Sequence, residues 1–148
     1  MDEKLKRDII LDNYQNPENK GLTDSDGYIR VNTRNSSCVD NIDVMAKLEN
    51  GIFIDIRFDG EACAISTSAT SIMIKTLIGK TVYEVEAIIE NYEKMINEEP
   101  YDASLLGELI VYDTISKQPS RKKCAILPFE SIKQIIEKIK RFKSESYY

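Results

Sequence analysis

The sequence predicts an α+β fold, a small three-stranded antiparallel sheet with helices packed on one face. Three observations predict it. Residues 42–58 alternate apolar and polar side chains about an Asn50-Gly51 dipeptide, the signature of a tight hairpin. After Gly60 the apolar period lengthens from two to about 3.6 residues. The resulting order is helix, strands, then helices, a segregation that puts helices beside an antiparallel sheet instead of between parallel strands. The chain has 148 residues, 42% of them hydrophobic, so one domain spanning residues 1–148 is expected.

Each element follows from local pattern. Leu5, Ile9, Ile10 and Tyr14 share one helical stripe, and Asn16-Pro17 ends that helix because the residue before proline is pushed out of the α region. Residues 28–35 alternate, with Ile29, Val31 and Thr33 on one side. In the next strand Ile42, Val44, Ala46 and Leu48 oppose Asp43 and Lys47. Beyond the turn, Ile52, Ile54, Ile56 and Phe58 are expected to face inward, opposite Phe53, Asp55, Arg57 and Asp59. Ile65, Ile72, Leu77 and Ile78 predict a helix from just after Cys63 to Gly79, a glycine suited to closing it. Thr81 and Glu84 form a capping box ahead of Val82, Val85, Ile88, Ile89, Tyr92 and Met95, and Glu98-Glu99-Pro100 ends that helix. Leu105, Leu106, Leu109 and Ile110 indicate a shorter helix, followed by an irregular stretch over residues 116–120. Pro128 suits the first turn of a final helix whose buried stripe is Phe129, Ile132, Ile135, Ile136 and Ile139.

Composition narrows the chemistry. With no histidine, the chain itself supplies no Ser-His-Asp triad, Cys-His pair or Cys2His2 site. A net charge of −5 argues against broad nucleic-acid binding, and Lys138, Lys140, Arg141 and Lys143 read as a solvated helix end that suits the dipole. No apolar run is long enough to cross a bilayer, and no phosphate-loop glycine pattern occurs. Three cysteines cannot close a disulfide framework, and the first residues read as an amphipathic helix, not a signal peptide. Reduced thiols in the cytoplasm are expected.

Those cysteines carry the functional signal. Cys38, Cys63 and Cys124 each fall at an expected element boundary, off the apolar stripes, where a side chain can project toward a shared site. Cys38 and Asp40, two apart in extended chain, project to the same side. Three thiolates and one carboxylate make a four-ligand set suited to tetrahedral zinc. The plainer alternatives are three unrelated thiols, since no short Cys-x-x-Cys pair occurs, and a turn-capping role for Asp40.

The same residues carry a resemblance. Residues 5–140 are similar to the SufU branch of the IscU/NifU-like iron-sulfur assembly proteins. Tyr14-Gln15-Asn16-Pro17-Glu18-Asn19-Lys20-Gly21 resembles the family's Y-x-N-P-x-N-x-G, and Cys38-Val39-Asp40 stands where the family has C-G-D. Gly60-Glu61-Ala62-Cys63-Ala64-Ile65-Ser66 matches G-x-G-C-x-I-S apart from Ala62. Leu106-Gly107-Glu108-Leu109 and the stretch from Ser116 to Ala125, with Pro119, Arg121 and Cys124, resemble SufU's L-G-[DE]-L and S-x-x-P-x-R-x-x-C-A. Lys123 stands where IscU proteins carry histidine, residues 97–119 supply the long SufU segment between the second and third cysteines, and the L-P-P-V-K chaperone motif is absent.

The resemblance implies an IscU/SufU-like fold and a zinc-dependent sulfurtransferase. It would accept persulfide sulfur from a SufS-type cysteine desulfurase and serve downstream iron-sulfur assembly components, with no nucleic-acid or membrane partner. Cys38, Asp40, Cys63 and Cys124 are the implied ligands. Cys38 is the implied sulfur acceptor, freed when a desulfurase histidine replaces it, and Arg121 is a further candidate site residue. Lys122 and Lys123 read as solvated charge, Tyr14 and Pro17 as packing and chain termination, and Ser66, Thr67 and Ser68 as helix-start caps. Val39, Ser36 and Ala62 depart from the family's glycine, proline and glycine, which narrows backbone freedom about the site. Three alternatives stay open: a scaffold for a labile [2Fe-2S] cluster on the same residues, a structural zinc module, and a metal-free domain.

Overall fold

A computed structural model describes residues 1–36 and 39–145, with no side-chain description for 143–145. The order is α1 (Glu3–Gln15), β1 (Tyr28–Arg34), β2 (Asn41–Glu49), β3 (Ile52–Glu61), α2 (Ala64–Leu77) and α3 (Val82–Ile96). Three short 3-10 turns follow, at Ala103–Leu105, Gly107–Tyr112 and Ile115–Lys117, and then α4 (Pro119–Glu145). The strands form one antiparallel sheet, as the alternation predicts, and their order is β1-β2-β3. Asn50 and Gly51 take the positive φ angles, 52° and 75°, that a tight hairpin turn requires. Among the described residues no helix is long and apolar enough to cross a membrane.

The inner face of the sheet presents Val31, Ile42, Val44, Ala46, Phe53, Ile56 and Phe58 to the helices, and all are buried. Here β3 departs from strict alternation. Lys47 pairs with Asp55 but Leu48 pairs with Phe53, so a bulge at Ile54 shifts the pleat by one residue. Ile52 and Ile54 are consequently exposed, at 37% and 39%, and Phe53 takes the inward position. The start of the strand is held by the α2–α3 connection, where the Phe53 amide donates to the Lys80 carbonyl and the Gly79 amide donates to the Phe53 carbonyl. Those long-range bonds set the face that sequence alternation alone misassigns.

Three helices also differ from their expected faces or limits. In α1 the buried positions are Lys6 and Asn13, with Ile9 and Ile10 half-buried, whereas Leu5 and Tyr14 are exposed. Lys6 Nζ lies 2.8 Å from Asp113 Oδ1, and Asn13 Oδ1 accepts from Ser71 Oγ at 2.7 Å and from Lys75 Nζ at 2.9 Å. These polar bonds rotate the helix away from its apolar stripe. Helix α2 is buried nearly all round, and its hydroxyls are satisfied internally; Ser68, for instance, pairs with the buried Tyr112 hydroxyl. The leucine-rich segment after α3 forms 3-10 turns because Gly107, at φ 52°, interrupts any continuous α-helix.

Helix α4 begins nine residues before its expected start. Pro119 opens it, so Cys124 lies inside the helix and not before it, and Pro128 sits in the interior. Proline removes one helical donor, and the carbonyl this leaves open, that of Cys124, accepts from Ser66 Oγ at 3.0 Å instead. The capping box at Thr81 and Glu84 opens α3 as predicted. Tyr92 of that helix stacks on Phe129 of α4 with ring centroids 4.2 Å apart, joining the two helices through the core.

Candidate metal centre

The site lies where the entry to β2, the start of α2 and the second turn of α4 meet. Asp40 immediately precedes β2 and is 2% exposed. Its carbonyl accepts from the Asn35 amide at 3.0 Å, which ties the two ends of the β1–β2 connection together. Gly60, paired with Ile42, brings β3 alongside. A Cβ there would stand 2.2 Å from the Asn41 carbonyl oxygen, so this close approach requires glycine.

Cys63 caps α2. Its backbone is extended, at φ −67° and ψ 171°, and Sγ accepts from the Ser66 amide at 3.4 Å. The unpaired N–H end of a helix is thereby directed at sulfur, an arrangement that favours an anionic ligand atom. The Cys63 amide donates to Asp40 Oδ1 at 2.8 Å, and its Sγ lies 3.9 Å from Oδ2. From α4 comes Cys124, 4% exposed, with Sγ 3.7 Å from Asn35 Nδ2 and 3.8 Å from the Ser120 carbonyl. One ligand atom each from Asp40, Cys63 and Cys124 falls within 4.8 Å of the others.

Electrostatics make this cluster unusual among the protein's carboxylates. Burial by itself pushes the Asp40 carboxyl up, yet hydrogen bonds from Ser66, the Cys63 amide and the two thiols together hold it below the usual carboxylate range. No Lys or Arg pairs with it among the described residues. Burial, and then the neighbouring Cys63 and Asp40, push the Cys124 thiol well up. A buried carboxylate with two thiols and no Lys or Arg partner among the described residues is a set of donors that could hold a cation, and the mix of sulfur and oxygen suits a thiophilic divalent metal.

Other predicted residues fall in different places. Cys38 lies outside the described residues. Arg121 is exposed on the first turn of α4, three residues before Cys124, and its side chain makes no hydrogen bond or ion pair with the described residues. Tyr14 is not packed but 46% exposed, and it lines an open groove with Pro17, Val39 and Ala62. Ser66 is the residue that reading as a helix cap underrates. Cys63 is itself the cap, and the Ser66 hydroxyl stands 2.5 Å from Asp40 Oδ2. Its place three residues after Cys63, where a helix's first turn faces its cap, is the signal in the sequence.

Residues 5–125 match the model of the NifU-like N-terminal domain. The chain belongs to that family. Among NifU-like relatives, the zinc-dependent sulfurtransferase SufU of Bacillus subtilis is 35% identical over 136 residues, covering 90% of both chains. The iron-sulfur cluster assembly scaffold protein IscU of Thermotoga maritima is 34% identical over 134 residues, covering 90% of this chain and 94% of its own. A crystal structure of a putative iron-sulfur cluster assembly scaffold protein for the SUF system, from Fervidobacterium islandicum, superposes with a TM-score of 0.75 at 28% identity, covering 84% of this chain and 91% of the other. This NifU-like domain therefore sits within the SufU/IscU group of iron-sulfur cluster assembly proteins.

Proposed function

We propose that the protein is a zinc-dependent sulfurtransferase that accepts persulfide sulfur from a SufS-type cysteine desulfurase for iron-sulfur cluster assembly. The observation that carries this reading is the convergence of Asp40, Cys63 and Cys124 within 4.8 Å about a buried carboxylate that has no cationic partner among the described residues. Cys38, two residues before Asp40 in sequence, completes a three-sulfur, one-oxygen set. Zinc bound by these residues would keep their thiols as thiolates at neutral pH.

The chain's own residues then have distinct tasks. Cys38 is the acceptor: its thiolate attacks the terminal sulfur of the donor persulfide, a new S–S bond forms on Cys38, and the donor cysteine leaves as a thiolate. Asp40 at the entry to β2, Cys63 at the cap of α2 and Cys124 within α4 remain as the fixed part of the site. Arg121, exposed three residues before Cys124 on α4, would offer a cation to the incoming anionic sulfur. The chain has no histidine, so any imidazole used to release Cys38 comes from the desulfurase.

A second reading, a scaffold assembling a labile [2Fe-2S] cluster on the same residues, is favoured by the near-equal similarity of the Thermotoga IscU. Metal analysis and radiolabelled sulfur transfer separate the two. The sulfurtransferase reading expects one zinc per chain, no visible absorption band, and label on the wild type but none on Cys38→Ala. It is overturned if Cys38→Ala still takes up label, and the scaffold reading replaces it if the protein is isolated coloured with iron and sulfide.

A further inference from the structure

Ser66 touches every described member of the candidate site. Its hydroxyl lies 2.5 Å from Asp40 Oδ2, 3.0 Å from the Cys124 carbonyl oxygen and 3.7 Å from Cys63 Sγ, and its amide donates to that same sulfur. The side chain is fully buried, so water supplies none of these bonds. Both oxygens are acceptors, and one hydroxyl proton is shared between them.

The second acceptor is open for a reason written in the chain. Within an α-helix the Cys124 carbonyl would accept from the amide four residues on, but that residue is Pro128, which has no N–H. Ser66 takes the missing donor's place. Asp40 Oδ1 is meanwhile held by the Cys63 amide, so both carboxylate oxygens are fixed by groups on the first turn of α2. One turn of one helix thus carries Cys63, orients Asp40 and anchors the backbone of Cys124.

We propose that Ser66 is a positioning residue for the metal centre, holding the Asp40 carboxylate and the Cys124 turn of α4 in register, and that Pro128 serves it by leaving the Cys124 carbonyl open. This rests on the reading of Asp40, Cys63 and Cys124 as metal ligands. Partners that orient ligands in this way typically change metal affinity 10–100-fold when removed.

The test measures zinc affinity by competition with a chelator, the visible spectrum of the Co2+-loaded protein, and the melting temperature of the metal-free protein. It uses wild type, Ser66→Ala, Pro128→Ala and the double variant. Ser66→Ala is expected to weaken zinc roughly 10–100-fold, to alter the Co2+ spectrum, and to lower the metal-free melting temperature because a buried carbonyl loses its donor. In the double variant the residue 128 amide serves that carbonyl. Stability is then expected to recover in part while zinc affinity stays low, because Asp40 still lacks its serine.

Should Ser66→Ala alone fail to fold, the double variant decides. Zinc affinity that recovers together with stability, or a Ser66→Ala protein that binds zinc as wild type does, overturns the inference and leaves Ser66 a structural hydrogen bond. A wild type that takes up neither zinc nor Co2+ overturns the metal reading as well, which distinguishes the two failures.

Discussion

Two aspartates three residues apart in sequence, Asp40 and Asp43, occupy opposite electrostatic settings. Asp43 lies on the outer face of the sheet, where Arg30 pairs with its Oδ2 and Asn32 donates to its Oδ1 at 2.7 Å. Asp40 lies just before the same strand, buried, and is bonded only by neutral donors among the described residues. Both carboxyls are held below the usual range, but the first is held by a counter-charge and the second by hydrogen bonds alone. A carboxylate that already has its cation is finished as structure. One desolvated without a cation among the described residues is where the proposed metal would supply the missing charge.

The largest effect that would break this contrast is on zinc-linked stability. Free zinc a thousandfold above its dissociation constant stabilises the folded state by about 4 kcal/mol. For a chain of this size that corresponds to a melting-temperature rise of roughly 10 °C, reversed by chelation. Asp40→Ala should lose most of that rise. Its metal-free form should also lose about 1–3 kcal/mol, because the Cys63 amide is left without its acceptor, while the Ser66 hydroxyl keeps only the Cys124 carbonyl. Thermal unfolding with and without zinc checks both, and an unchanged zinc increment would break the comparison.

Asp43→Asn is expected to act oppositely in kind and more weakly. The zinc increment should be unchanged, and the metal-free protein should lose at most about 1 kcal/mol, since Arg30 is more than half exposed and water screens the pair. Smallest of all is the pH dependence of that loss. The Arg30 hydrogen bond, then Asn32, holds Asp43 down, so its contribution is fully present above its unfolded value of ~3.9 and is lost as pH falls through the lower folded value. Denaturant titrations should show wild type and Asp43→Asn differing at pH 7 and converging as pH falls below about 4. A gap that persists at acid pH would assign the effect to packing and not to charge.

Where sequence reading succeeded and failed follows from the range of the forces involved. The β2–β3 hairpin and the capped start of α3 depend on residues a few positions apart, and both are as the pattern predicts. Helix α1 buries Lys6 and Asn13, against its apolar stripe, because Asp113, Ser71 and Lys75 lie far along the chain. Likewise β3 turns Phe53 inward because Gly79 and Lys80 bond to it from beyond α2. In the candidate site, Asp40, Cys63 and Cys124 were legible in the sequence as donors that could share a site, and the structure brings them together; Cys38 lies outside the described residues. The role of Ser66 was not legible, since a serine near a helix start reads first as a cap.

By itself the sequence determined the strand pairing, the absence of any imidazole, and the sulfur and oxygen donors available to a metal, because these are matters of residue identity and near-neighbour period. Tertiary structure decided which faces are buried, where α4 begins, and that Asp40, Cys63 and Cys124 share one small volume with Ser66 at its centre. The buried faces and the gathering of the site hang on hydrogen bonds between segments tens of residues apart. Whether a serine caps its own helix or braces a carboxylate is settled by what the fold sets beside it.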